Sequence, residues 1–199
     1  MIILGLTGSI AMGKSTAAAM LQQMKIPVHD SDAAVHHAYQ HDREFLKELF
    51  DHFPEAYDRK TKRADRKKLA EIIYSDPWKK QLLEDLLHPR VWQSQKNFLR
   101  KCARMRQNIA VLDIPLLYET GADLKCDAVM VVTAPAHIQK ARVLARPGMT
   151  EEKFYKILNS QMSDAEKQGR ADYIIHSGLG MRRMREELQD VLRDISAAY

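Results

Sequence analysis

The segment Gly8-Ser9-Ile10-Ala11-Met12-Gly13-Lys14-Ser15 matches GxxxxGK[ST], with Thr16 beside its last serine. These residue types at this spacing suit the cradling of a polyphosphate. Gly8 and Gly13 let the backbone turn so that successive amides point inward, and the positive end of a following helix adds to the attraction for a β-phosphate. Lys14 would bridge the β- and γ-phosphates, and the Ser15 hydroxyl would ligate a magnesium ion. The bland alternative is a glycine turn between strand and helix. The surrounding pattern favours the phosphate loop, because an apolar run precedes it and a helical run follows.

Other residues can serve a phosphoryl acceptor. Asp30 and Asp32 close a second short apolar run, where a carboxylate can accept a proton from an attacking hydroxyl or cap the helix beginning near Ala33. Asp32 is the preferred base. Asp113 ends Ile109-Ala110-Val111-Leu112, a position from which a Walker B-like aspartate reaches magnesium through water. In Lys140-Ala141-Arg142-Val143-Leu144-Ala145-Arg146, Arg142 and Arg146 are expected on one helix face, either as a solvated basic surface or as a lid guanidinium over a γ-phosphate. His88 lies in His88-Pro89-Arg90 as a candidate for an anionic substrate or for packing. His36, His37, Tyr39 and His41 crowd one helical stretch without the ligand pattern of a metal site, and are expected at the surface.

The elements that must position these groups alternate. Ile2 to Thr7 reads as a buried strand, Lys14 to about Lys25 as a helix, and Val28 onward as a second strand. From Ala33 to Arg106 no strand is expected; the pattern is helical, with breaks near Phe53-Pro54 and Asp76-Pro77. Strands resume at Ile109 to Asp113, Ala128 to Thr133 and Tyr173 to His176. Helices are expected near Pro135 to Ala145, Thr150 to Gln161 and Leu179 to Ala198. Short apolar strands alternating with helices predict a five-stranded, mainly parallel sheet whose ligands sit at its carboxyl edge.

Composition narrows the class. A chain of 199 residues suits one α/β domain, and 45% hydrophobic with 29% charged residues excludes disordered and fibrous classes. No apolar run approaches a membrane span, and the start lacks a secretory leader, so a cytoplasmic protein is expected. Cys102 and Cys126 read as reduced thiols. Residues 57–106 hold 15 basic and 6 acidic residues within a chain of net charge +5, which leaves −4 elsewhere. That middle surplus fits an anionic partner or a solvated helix surface. A nucleic-acid reading is disfavoured, because Trp78, Trp92 and Phe98 are expected to fill a helical core. A guanine-reading NKxD tetrapeptide does not occur.

Together these residues resemble the dephospho-coenzyme A kinases over nearly the whole chain. Beyond the loop, the resemblance rests on Val28-His29-Asp30-Ser31-Asp32 for that family's DAD strand end and Leu87-His88-Pro89 for its HP motif. Leu112-Asp113-Ile114-Pro115-Leu116-Leu117-Tyr118-Glu119 matches DxPLLxE, Arg142 and Arg146 match paired lid arginines, Ser160-Gln161-Met162 matches SQM, and Ala171 to Ile175 matches ADYVI. The resemblance implies ATP-dependent phosphorylation of the ribose 3′-hydroxyl of dephospho-coenzyme A, with magnesium. It implies ATP contacts from Gly8, Ser9, Ile10, Ala11, Met12, Gly13, Lys14, Ser15, Thr16 and Arg142. Lys14, Asp32 and Arg146 would be catalytic, Asp32, His88 and Asp113 would serve the substrate, and Ser15, with Asp113 through water, would hold the metal.

The fold so implied is a single P-loop kinase domain. Its nucleotide-binding core would be residues 1–33, 107–134 and 171–199, its helical acceptor-binding insertion 34–106 and its lid 135–170. The partners are ATP and dephospho-coenzyme A, with no nucleic acid, membrane or obligate protein partner. The chain departs from the family pattern in places. Ser9 and Ala11 stand for glycines, Met12 for serine, His36 for arginine, Pro147 for aspartate and His176 for asparagine.

Overall fold

The computed structural model describes residues 1–58, 61 and 63–198. The chain opens with β1 (Ile2–Thr7), α1 (Lys14–Gln23), β2 (Val28–Asp30), α2 (Ser31–His41) and α3 (Arg43–His52). A short pair, β3 (Tyr57–Asp58) and β4 (Arg63–Ala64), precedes α4 (Arg66–Ser75) and the long α5 (Pro77–Arg104). Then come β5 (Ile109–Asp113), β6 (Ala128–Thr133), α6 (Ala136–Leu144), α7 (Glu151–Asn159), α8 (Asp164–Arg170), β7 (Tyr173–His176) and α9 (Met181–Ala198). They form two compact units, Met1–Asp30 with Lys101–Tyr199, and Ser31–Arg100.

The first unit carries a five-stranded sheet in the order β2-β5-β1-β6-β7, parallel throughout. Strands covered on both faces need apolar residues at successive positions, and β5 is buried along its whole length. Helices α1 and α9 supply the cover on one face. Met184, Leu188, Val191 and Ile195 recur every three or four residues of α9 and pack with Ala17, Met20 and Leu21 of α1 against Leu4, Leu6, Val111 and Met130. Each of these side chains larger than alanine contributes roughly 1.5–3 kcal/mol. Because all five strands run the same way, Thr7, Asp30, Asp113, Thr133 and His176 end at one sheet edge. The chain reverses its direction of winding around β1, which puts the phosphate loop at the switch point.

The second unit is helical around Phe45, Leu49, Phe53, Leu69 and Leu83. Aspartates start α3, α4 and α5: Asp42 accepts from the Phe45 amide at 2.9 Å, Asp65 from Lys67 and Lys68, and Asp76 from Trp78 and Lys79. Helix α5 continues through Pro89, which has no N–H to donate back to the preceding turn.

Several expectations need correction. The middle segment does contain strands, the antiparallel β3 and β4, whose two residues each are too short to show alternation. Tyr39 is buried, edge-on to Phe45 at 5.1 Å with the Arg66 guanidinium over its ring, so only its histidine neighbours are at the surface. Trp78 is 86% and Trp92 46% exposed, so neither fills a core. Helix α8 was not expected, although Ser163 and Glu166 form a capping box that announces it. Arg59, Lys60 and Lys62, which contribute to the basic surplus, lie outside the described residues. Among the described residues no helix is long and apolar enough to cross a membrane.

Candidate active site

The chain leaves β1 at Thr7 and enters the loop at Gly8, where a Cβ would sit 2.6 Å from the Val132 carbonyl oxygen of the adjacent β6. Only glycine allows that approach. Gly13 is required for a second reason: it takes φ +97°, and a Cβ there would meet the Ser177 hydroxyl at 2.8 Å. No side chain caps α1 at Gly13. Thr16 already donates to the Gly13 carbonyl at 3.0 Å, while the Lys14 and Ser15 amides precede any intrahelical acceptor, so those two and the helix dipole face an anion at this point.

Lys14 and Asp113 meet here. The Lys14 ammonium lies 2.5 Å from Asp113 Oδ1, both side chains being largely buried. Asp30 is the register partner of Asp113, so two carboxylates stand side by side at the sheet edge. Asp113, expected to reach magnesium through water, has the Lys14 ammonium as a direct partner. The Ser15 hydroxyl is exposed at the start of α1. A hydroxyl and a carboxylate are hard oxygen donors of the kind magnesium takes when phosphates and water fill its remaining positions. Among the described residues no group of three or more His, Cys, Asp or Glu side chains forms an all-protein metal site.

The outer side of the loop is held by side chains from later segments. The Ile10 N–H donates to Gln161 Oε1 at 3.1 Å, and Gln139 Nε2 donates to the Ile10 carbonyl at 2.9 Å. The Ser177 hydroxyl donates to the Met12 carbonyl at 2.5 Å, and the Ala134 N–H meets Met12 Sδ at 3.2 Å. Met12 is buried, which accounts for a thioether in this loop position. Arg142 donates to the Ser177 hydroxyl at 2.8 Å and to its carbonyl at 2.9 Å, with a longer contact of 3.4 Å to Ala11 O. It is therefore bound to the loop's support rather than free on a basic face. Ala11 takes φ +59°, a left-handed conformation that strains an L residue.

Glu119 ties two of these segments together. Its Oε1 accepts from the Met162 N–H at 2.8 Å and lies 2.8 Å from the ammonium of Lys167, which has no exposed surface. Burial alone would raise the Glu119 carboxyl, but the Lys167 ammonium beside it and bonds from backbone amides outweigh it and hold the group below its ordinary 4.5. Beside it, burial pushes the Tyr118 hydroxyl up to about 12, opposed by the Arg170 guanidinium over its ring. Burial likewise pushes the Cys126 thiol up to about 11.

Of the residues expected from sequence, the loop, Lys14, Asp113 and Arg142 come together in the first unit. Arg146 lies beyond the end of α6 at Leu144 and is exposed, so it does not share a helix face with Arg142. Asp32 belongs to the second unit, in the first turn of α2, which begins at Ser31; it is exposed and does not hold the cap position. The buried Ser31 beside it accepts from Gln95 Nε2 at 3.2 Å, which anchors that turn on α5. His88 stacks on Trp92 along α5, with ring centroids 5.8 Å apart. The residues that sequence reasoning missed are Gln139, Ser177 and Lys167, with the tasks of Gln161 and Glu119. Gln139 had one signal, a polar residue on the same buried face of α6 as Val143.

A family model described as dephospho-CoA kinase matches residues 2–181. The dephospho-CoA kinase of Agrobacterium fabrum is 43% identical over 197 residues, which cover 99% of this chain and 100% of that protein. That of Mesorhizobium japonicum is 45% identical over 98% of this chain and 97% of its own length. Among solved structures, TT1252 from Thermus thermophilus superposes with a TM-score of 0.84 at 34% identity over 97% of each chain. The Campylobacter jejuni dephospho-CoA kinase gives 0.72 at 26% identity over 98% of each. The matched family, the parallel five-stranded sheet and the phosphate loop at its switch point agree, and the chain belongs to the dephospho-CoA kinase family of P-loop kinases.

Proposed function

We propose that the chain transfers the γ-phosphoryl group of ATP to the ribose 3′-hydroxyl of dephospho-coenzyme A, giving coenzyme A and ADP, the final step of coenzyme A synthesis. The observation that carries this reading is Lys14 behind a loop whose following helix start has no side-chain cap, in a member of this family. Amides of the loop and of the start of α1 take the β-phosphate, with the Ile10 N–H staying on Gln161, and Lys14 exchanges Asp113 for phosphate oxygens as the nucleotide arrives. Ser15, with Asp113 through water, would hold magnesium, which would neutralise charge on the phosphate oxygens. Asp32 takes the proton of the attacking hydroxyl.

Arg146, exposed beyond α6, meets charge on the transferred group, while Arg142 stays on the loop. Residues 34–106 receive the acceptor, where the basic surplus and His88 suit its pyrophosphate. Residues 135–170 serve as the lid, and the enzyme works in the cytoplasm.

The test is ADP release from ATP and magnesium with dephospho-coenzyme A, adenosine, nucleoside monophosphates or no acceptor. Stimulation by dephospho-coenzyme A alone is expected; stimulation only by another acceptor, or by none, overturns the substrate. Asp32→Asn should lower kcat by about 10² or more with nucleotide affinity unchanged, the usual loss for a positioned base. Full kcat in that variant would remove Asp32 from the role.

A further inference from the structure

We infer that Gln139 and Gln161 are positioning residues for the nucleotide: from two different segments, they hold the peptide units on either side of Ile10, and so set the course of the phosphate loop. The inference rests on the reading that the loop binds ATP. Ile10 has its N–H on one carboxamide and its carbonyl on the other, at 3.1 and 2.9 Å. The atom identities follow from the partners. An N–H needs an acceptor, so Gln161 presents Oε1, and a carbonyl needs a donor, so Gln139 presents Nε2.

The next residue explains why two bonds are needed. Ala11 sits at φ +59°, and a strained conformation of this kind persists only where the surroundings over-determine it. Fixing the two peptide units flanking Ile10 fixes the entry into Ala11, and from there the direction of the amides that follow. Both clamps are themselves held. Gln139 is buried in α6, and Gln161 adjoins Met162, whose N–H is fixed by Glu119 and, behind it, Lys167. Glu119 of the DxPLLxE block thus acts on the loop through Gln161, without touching it.

Gln139→Met and Gln161→Met keep side-chain length and remove only the hydrogen bonds. Each, and the pair, would be measured by calorimetric titration with MgADP, by KM for ATP and for dephospho-coenzyme A, and by the urea unfolding midpoint. Each single variant is expected to weaken MgADP about two- to tenfold, the range for one net hydrogen bond, with KM for ATP rising in parallel and KM for dephospho-coenzyme A unchanged. The double variant should lose less than the product of the singles, because both bonds restrain one segment. If Gln139→Met does not fold, Gln161→Met, on a half-exposed side chain, carries the test by itself. Unchanged MgADP affinity with only a lower unfolding midpoint would overturn the inference alone. Failure of the unsubstituted chain to bind MgADP would overturn the proposed function and this inference with it.

Discussion

The Glu119–Lys167 pair offers an asymmetric prediction. Lys167 is fully buried and Glu119 keeps 18% of its side chain exposed, with 2.8 Å between the charges. Removing one partner of a buried pair costs about 3–5 kcal/mol when it strands the other charge, whereas replacing both is close to neutral. In Glu119→Gln the ammonium of Lys167 stays buried against a neutral amide oxygen, which places the loss near the lower end, about 3 kcal/mol. For a domain of this size that is a fall in Tm of roughly 6–12 °C. Lys167→Met strands a carboxylate that retains the Met162 N–H and some water, so it should cost less, about 1–2 kcal/mol.

The double variant should cost about 1 kcal/mol, well under the sum of the singles. Urea unfolding followed by circular dichroism measures all four chains. Equal losses in the two singles, or strict additivity, would refute the account of the pair as a charge compensated in the interior. The pH dependence has a defined sign. The folded Glu119 carboxyl titrates below its ordinary 4.5, so the pair's contribution is complete above that pH and is lost as pH falls through the lower folded value. Glu119→Gln should flatten that part of the acid limb.

Gly8→Ala should lower stability by about 1–3 kcal/mol and raise KM for ATP, because the added Cβ must displace the Val132 carbonyl; an unchanged unfolding midpoint would contradict the close approach. Ala11→Gly relieves a positive φ and should raise Tm by about 1–4 °C, read from thermal unfolding. With its thiol pushed up to about 11, Cys126 should react with a thiol-specific disulfide reagent at pH 8 far more slowly in the folded chain than in urea, as measured by release of the reagent's chromophore.

The parts that sequence alone determined are those written in contiguous residues. Strands β5, β6 and β7 fall at Ile109–Asp113, Ala128–Thr133 and Tyr173–His176 as expected, because a parallel strand covered on both faces needs an unbroken apolar run. The phosphate loop is equally local, since its glycines answer to backbone angles and its Lys14 to a fixed offset from them. The two-residue strands β3 and β4 escaped because so short a segment has no period to read. Trp78 misled because its helix-like spacing says which residues share a face and not which face is covered.

Tertiary structure alone decided what surrounds the loop. Asp113 meets Lys14 across 99 residues, Gln139 meets Ile10 across 129, and Gln161 meets it across 151. No periodicity links such positions. Lys167 shows the limit most plainly: in Asp164-Ala165-Glu166-Lys167-Gln168 it reads as a solvated lysine, yet the fold buries it fully against Glu119. A hydrogen bond or ion pair depends on where two chains of atoms end in space, and local sequence carries only the half of that information concerned with how each element begins, turns and buries one side.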